Sequence, residues 1–524
     1  MKKILIVLIL LVAVAAAAPF FLGSQIEKAA RQQVEVANQQ LAKMIQSNPQ
    51  IKDASITIES YDKQYMNSTA NSLVKFSVNL PTEPEAKRFE IPVKTVVTHG
   101  PYLGDAGFGA AKLVSKPDLS NLELPDAINA DTFVIENVVG FSGNTQQLAT
   151  IAPIKYEAEG SVIDFAGASI STQGHIKNQA TFTGEVKVQQ LVLSNEEDPN
   201  LFTLKPFSMD IKSDGDAEFT KGNYTVSSGV IEAAADGDKV AMALQSMQVT
   251  GSYAQAKGAD FMLGNASGVF KDLTITNSDL SPEPVKVPEL AVSSEMTQAE
   301  GTDLDVLVKY QLTLDPSVNK VMQSPVDVQT ATLEVSLKAL PVAAIQKYQS
   351  LMQDLSTTSD AVQSAETMQS ELMSVFTQLI GNASAAHLEL HAKAAEGDLN
   401  ADIDLGFKPG LALSEQELMQ LLAEADFAPY KILAILVGRG QLDLDKSVTD
   451  KAGLTPMLQI MAADFVTLEG ESFKSEFLIR DEQLLVNGKP VPMMMAPEAE
   501  MAPEADSAMD SDEAAATDSM QMQN

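Results

Sequence analysis

Apolar and polar residues alternate at every second position over most of the chain from Ile51 to about Leu340. Val306, Val308, Tyr310, Leu312 and Leu314 fall on one side of an extended chain, and Leu307, Lys309, Gln311 and Thr313 on the other. Leu333, Val335 and Leu337 alternate in the same way with Thr332, Glu334, Ser336 and Lys338. Successive strand side chains point to opposite faces, so one face is dry and the other wet. That predicts antiparallel sheet packed on a single side, because a parallel βαβ sheet buries both faces and shows unbroken apolar strands. Gly, Asn and Asp clusters punctuate the runs. Asp214-Gly215-Asp216, Lys221-Gly222-Asn223 and Asp236-Gly237-Asp238 are predicted turns, where these residues adopt positive φ. Pro282, Pro284 and Pro288 predict a linker or an edge. No repeat of fixed period appears.

The period lengthens to three and four in a few places, which predicts helices. Ile26, Ala30, Val34, Ala37, Leu41 and Met44 mark one from about Ser24 to Ser47, stopped by Asn48 and Pro49. Its apolar stripe packs either on the downstream domain, the commoner arrangement, or on a second copy of itself. Ala344, Tyr348, Leu351, Met352 and Leu355, then Met368, Leu372, Val375, Phe376 and Leu379, mark helix between Pro341 and Ile380, with a stop at Gly381-Asn382. Strands return at His387–Ala392 and Leu399–Leu405 through Glu396-Gly397-Asp398. Ser414 and Glu417 form a capping box for a helix to about Ala425, and a short helix is expected at Pro456–Ala463. Alternation from Phe465 through Val486 ends in a turn at Asn487-Gly488, before Lys489-Pro490. The expected fold class is α+β, mainly β: large antiparallel, curved sheets with a few helices, after one N-terminal transmembrane helix.

That transmembrane expectation rests on Ile4 to Gly23, twenty uncharged residues behind Lys2 and Lys3. As a helix they rise about 30 Å, the thickness of a bilayer's hydrocarbon core. Ile4, Leu5, Leu8, Leu11, Val14 and Phe20 are its anchor side chains. A cleaved signal peptide is the alternative, since the small residues Ala15 to Ala18 follow an apolar stretch. Pro19, placed just after them, argues for retention. Lys2 and Lys3 stay in the cytoplasm, so the remainder is exported on a single crossing. The expected organisation is an anchor over 1–23, a juxtamembrane amphipathic helix over 24–48, a mainly antiparallel β region over 49–340, a mixed α/β part of the same ectodomain over 341–490, and an acidic tail over 491–524.

Charge narrows the partners. The 524 residues carry 36 basic and 70 acidic side chains, a net charge of -34. The tail holds eight acidic residues and no basic one, so the rest carries -26 by itself. Such an excess repels a phosphate backbone, which excludes nucleic acid as a partner. The chain lacks cysteine, which excludes disulfides, thiolate metal sites and a cysteine nucleophile.

Candidate chemistry is sparse. His387, Glu389 and His391 share one face of a strand without the HExxH arrangement of a zinc enzyme, and read as a solvated polar face. Asp402 and Asp404, like Asp443 and Asp445, project in pairs from strands and lack a glycine-bearing calcium loop. Gly104, Gly107 and Gly109 ahead of Lys112 miss the spacing of a phosphate loop, and no Gly-x-Ser-x-Gly elbow is present. His175 carries no signal, and the Met493–Met495 run belongs to the tail. No catalytic, metal-ligating or cofactor-binding residue is assigned, and no cofactor is expected.

The helix beginning Gln25-Ile26-Glu27-Lys28 after the apolar segment, Thr98-His99-Gly100-Pro101-Tyr102 after a strand, and Gln483-Leu484-Leu485-Val486-Asn487-Gly488-Lys489-Pro490 at the close resemble the YdgA family of uncharacterised bacterial envelope proteins. The resemblance covers nearly everything but the acidic tail. It implies an exported or inner-membrane protein with the bulk of the chain in the periplasm, and assigns no reaction. His99, Gly100, Pro101, Asn487 and Gly488 are its motif residues. The expected function is non-enzymatic binding of lipid or of an envelope protein on an amphipathic sheet. The rivals are a structural or assembly factor for envelope proteins and, behind it, an unrecognised hydrolase.

Overall fold

The computed structural model describes Val34, Glu35, Asn38 and Leu41, and residues 51–491 apart from 65, 79–85, 123, 126, 127, 159, 197, 199, 200, 216–218, 236–238, 256–261, 280, 282, 299–302, 358–360 and 461. The expected anchor over 1–23, most of the helix over 24–48 and all but Val491 of the tail lie outside the described residues. Among the described residues no helix is long and apolar enough to cross a membrane.

Twenty-four strands form one antiparallel sheet among the described residues. The first six are β1 (Ile51–Lys63), β2 (Asn67–Val78), β3 (Lys87–His99), β4 (Ala111–Pro117), β5 (Phe133–Val139) and β6 (Asn144–Ile151). There follow β7 (Ile154–Ala158), β8 (Ser161–His175), β9 (Asn178–Ser194), β10 (Phe202–Gly215), β11 (Thr220–Ala235) and β12 (Val240–Leu244). Next come β13 (Ser246–Gln255), β14 (Met262–Asn277), β15 (Val285–Gln298), β16 (Asp303–Thr313), β17 (Val328–Pro341) and β18 (Ala385–Ala394). The last are β19 (Asp398–Phe407), β20 (Leu436–Asp445), β21 (Thr467–Glu469), β22 (Ser472–Arg480), β23 (Gln483–Val486) and β24 (Lys489–Pro490). Helices α1 (Pro316–Val321), α2 (Val342–Thr357), α3 (Ala361–Gly381), α4 (Glu415–Phe427), α5 (Lys446–Ala452) and α6 (Thr455–Ile460) sit in the later connections.

The topology is a meander in which strands pair with near neighbours in the chain and none crosses over. Two strands are broken. β6 and β7, parted by Ala152-Pro153, both lie against β8, and β12 and β13, parted by Gln245, both lie between β11 and β14. Proline removes a ladder donor, which accounts for the first break.

The apolar side of this sheet is concave at its beginning. Phe76 and Phe89 of β2 and β3 share one buried cluster with Ile163 and Phe165 of β8 and with Leu191 and Leu193 of β9. In a flat sheet β2 and β9 would stand about 30 Å apart at roughly 4.8 Å per strand, so the sheet must curl onto its apolar side. Gly167, at φ 108, interrupts the β8–β9 register, which lets Phe165 and Ala168, three residues apart, reach the same cluster. Leu119, Ile128 and Leu124 from the β4–β5 connection fill the fold from within.

The helical residues Val34 and Leu41 pack on the sheet. Val34 is buried with Ile56 and Ile58 of β1, with Leu41 and Val74 against them. Burying a valine of this kind contributes about 1.5–3 kcal/mol. At the other end of the chain, α2 and α3 pack through Val342, Ile345 and Leu379 on Leu304 and Leu340. The Ser414–Glu417 capping box forms at the start of α4.

Two expectations are corrected. Lys221-Gly222-Asn223 is not a turn but lies inside β11, opposite Tyr253 and its neighbours of β13. Gly222 is there because a Cβ would stand 2.1 Å from the Lys212 carbonyl oxygen and 2.6 Å from Tyr253 Oη. Pro284 lies in the β14–β15 connection, as expected, whereas Pro288 marks no linker. Pro288 sits within β15, between β14 and β16, where the β14 register passes from Glu289 to Val287 and β16 has already ended opposite Glu289. Of the other predicted turns, Asp214 and Gly215 close β10, and 216 and 236–238 lie outside the described residues.

Candidate functional site: an uncovered apolar face

Strand register decides which side chains share a face. Starting at Ile135, the directly opposed residues run Ala149, Ile170, Val186, Met209, Val226, Val249, Gly268, Val292, Tyr310, Leu333, Leu390, Ala401 and Leu442. This row crosses the sheet from β5 to β20 without one charged side chain. At about 4.8 Å per strand it extends for about 60 Å along the surface. One position over, on the opposite face, Glu185, Asp210, Thr225, Thr250, Ser267, Ser293, Lys309, Glu334, Glu389, Asp402, Gln441 and Glu476 form a row that is polar throughout.

Burial separates this face from an ordinary core. Ile135 and Ala149, within the curled beginning of the sheet, are buried. Further along, Val186, Met209, Val226, Val249, Val292 and Leu333 are only half-buried, and Tyr310 and Leu442 reach 39% and 36% exposure. A second packed layer would close such positions. Soluble monomers seldom leave a contiguous apolar patch of this extent, and large ones mark binding surfaces.

The curled end also carries a polar spot on the same face. Leu113, Asn137, Gln147 and Thr172 are opposed in order. Asn137 is fully buried, and neither atom of its amide has a partner within the protein. Thr95 and Ser115 next to it hydrogen-bond each other at 2.8 Å.

The opposite, charged face holds the residues that the sequence singled out. His387, Glu389 and His391 do share a face, and His387 Nδ1 lies 2.9 Å from Asp404 Oδ1 and 3.7 Å from Asp402 Oδ1. Three possible ligand atoms therefore come together. Arg439 Nε donates to the other Asp404 oxygen at 2.9 Å, so a guanidinium occupies that flank and holds the Asp404 carboxyl below its usual range. The arrangement links His387 of β18, Asp404 of β19 and Arg439 of β20 side by side across the polar face. His391 Nδ1 pairs with Asn400 Oδ1. Asp443 faces Lys474, while Asp445 accepts from the Asp398 N–H and the Ser472 hydroxyl. Lys112 is held by Asp105 at 2.8 Å and Glu136 at 3.4 Å.

The motif residues are not brought together. His99 ends β3, with Nε2 2.8 Å from Ser68 Oγ, and Gly100-Pro101 opens the β3–β4 loop through a cis peptide. Asn487 and Gly488, at φ 49 and 75, form the β23–β24 turn, where Asn487 Oδ1 accepts from the Glu476 N–H. Ile4, Leu5, Leu8, Leu11, Val14 and Phe20 lie outside the described residues.

The sequence matches a family described as bacterial protein of unknown function (DUF945), over residues 1–282 and 208–494. The chain belongs to that family. The two matches overlap at 208–282 and together take in all of the described sheet. Neither a curated protein nor a solved structure matches the chain. On the surface of this DUF945 chain, the row from Ile135 to Leu442 is a feature that alternation along single strands does not reveal.

Proposed function

We propose that this DUF945 protein, of the YdgA type within its family, is a non-enzymatic ectodomain on a single N-terminal anchor in the bacterial inner membrane. It stands in the periplasm and binds the acyl chains of lipid on the open apolar face of its sheet. The observation that carries the reading is the uncharged row of fourteen opposed residues, half-open to solvent from Val186 onward except at the buried Gly268. Apolar lining with few polar groups is the usual character of a site for an apolar ligand. A chain in one leaflet reaches about 15 Å, half of the hydrocarbon core. The open stretch from Val186 to Leu442 is about 48 Å long at about 4.8 Å per strand, roughly three times that reach, which suits several chains laid in succession.

Photo-crosslinking in cells tests the reading. A diazirine amino acid placed at Val249 on the apolar face should yield adducts with the mass of a phospholipid, and one placed at the adjacent Thr250 on the polar face should not. Protein adducts at Val249 in place of lipid would favour the assembly-factor reading. Water-quenched probe alone at both positions would end the lipid reading.

A further inference from the structure

Strands of a meander alternate in direction, so the β1–β2 turn, the β3–β4 loop and the β5–β6 turn all lie at the same end of the sheet. That end carries Met66, Tyr102, Phe108 and Phe141, exposed at 58%, 61%, 76% and 67%. Among the described residues of the first six strands and their connections, these are the large apolar side chains more than half exposed. In a chain with only 6% aromatic residues and no tryptophan, three aromatics raised at one rim are a concentrated feature.

The β3–β4 loop is built to hold its rings outward. Leu103 is buried at 2% exposure and pins the loop from below. Gly100 N–H donates to the Ala110 carbonyl at 2.9 Å and Gly109 N–H to that of Pro101 at 3.1 Å. A Cβ on Gly100 would stand 1.9 Å from the Gly109 oxygen, so the two backbone segments touch only because glycine is there. Tyr102 and Phe108 bridge through their backbones, with ring centroids 5.7 Å apart edge to face. The loop's one acid, Asp105, is neutralised by Lys112 at 2.8 Å. The His99-Gly100-Pro101 motif thus acquires a structural purpose: it displays two aromatic rings on a charge-compensated loop.

We propose that this rim, Met66, Tyr102, Phe108 and Phe141, rests in the headgroup region of the lipid bilayer that holds the N-terminal segment. The chain outside the structure selects this partner. The apolar run ends at Gly23, eleven residues before Val34, which is buried on β1. Eleven residues span at most about 39 Å when fully extended, so the first strands are kept beside the membrane surface. Aromatic side chains favour the interface between water and hydrocarbon. This inference rests on the anchor in the proposed function and not on lipid held by the sheet.

The absence of tryptophan makes the test direct, because Phe108→Trp in the full chain is its own single reporter. The chain is reconstituted in vesicles of phosphatidylethanolamine and phosphatidylglycerol with brominated acyl chains. Ile460→Trp, exposed at 79% in α6 on the far side of the meander, is the comparison. The Phe108→Trp emission should fall by about half, as an indole at headgroup depth within reach of the bromines does, while Ile460→Trp emission stays unchanged. Phe141→Trp repeats the measurement independently. Unquenched emission from a chain that still floats with the vesicles would overturn the rim contact and leave the anchor intact. A chain that fails to float overturns both. Equal quenching at Ile460→Trp, or a blue shift without quenching at Phe108→Trp as a protein partner would cause, also counts against it.

Discussion

The side-chain amide of Asn38 takes both backbone groups that Ile56 turns toward the open flank of β1: Nδ2 donates to the carbonyl oxygen at 2.9 Å, and Oδ1 accepts from the N–H at 2.8 Å. An edge strand with free backbone groups is a template for pairing with another chain. The helix that carries Asn38 therefore closes the flank where the sheet begins. Asn38→Leu keeps the volume and removes both bonds. It should cost about 1–3 kcal/mol, read as a lower denaturation midpoint, and light scattering should show more self-association. An unchanged midpoint would mean the helix covers the edge without holding it.

A charge on the apolar row should abolish ligand retention without unfolding the sheet. Val249 is half-buried, so a glutamate there can reach water, yet it would place a carboxylate among Val226, Gly268 and Met209. Val249→Glu should lose most of its crosslinked or co-purified lipid, whereas Thr250→Glu on the other face should keep it. Circular dichroism should report the same strand content for both.

The buried amide of Asn137 lacks a protein partner. Replacing an unsatisfied polar group by an apolar one of similar shape removes a desolvation cost of about 1–3 kcal/mol. Asn137→Leu should thus raise the denaturation midpoint. A fall would show that the amide is satisfied by something bound inside the curl.

Packing in β11 gives a prediction of opposite sign. Gly222→Ala would drive its methyl into the Lys212 carbonyl and the Tyr253 ring. The strand must shift, at about 1–3 kcal/mol as for other overpacked sites, and equilibrium unfolding would measure it.

The Asp404–Arg439 pair links stability to pH. Arg439, and after it His387, hold the Asp404 carboxyl below its usual range. A carboxylate with a depressed folded-state value contributes fully above the ordinary carboxylate range and loses that contribution as the pH falls through the depressed value. Asp404 is 39% exposed, so solvent screens the pair and the difference between wild type and Arg439→Ala should be about 0.2–1 kcal/mol at pH 7. That gap should shrink on acidification, and urea titrations at several pH values would detect it.

Much of the architecture was legible because it is written locally. Alternation at Val306 to Leu312 and at Leu333 to Leu337 marks the apolar face, and those residues do stand opposite one another in β16 and β17, although no second layer dries that face as the pattern predicts. The helices over 341–380 and the Ser414–Glu417 cap depend on neighbours three or four residues away, and they form. Gly222 was misread because glycine that permits a turn looks the same as glycine that makes room for Tyr253. The row from Ile135 to Leu442 could not be read at all from single strands, since it depends on the register of every pair between them. The Asn38–Ile56 bonds were equally hidden, joining residues eighteen apart through geometry that no spacing rule encodes.

The meander also bears on how such a chain reaches its native state. Most strands find their partner a short loop away, so little entropy is spent before those contacts form, whereas β17 must wait for β18 beyond α2 and α3, and β19 for β20 beyond α4. A polypeptide emerging N-terminus first would lay most new hairpins directly onto the last and would pause at those helical connections.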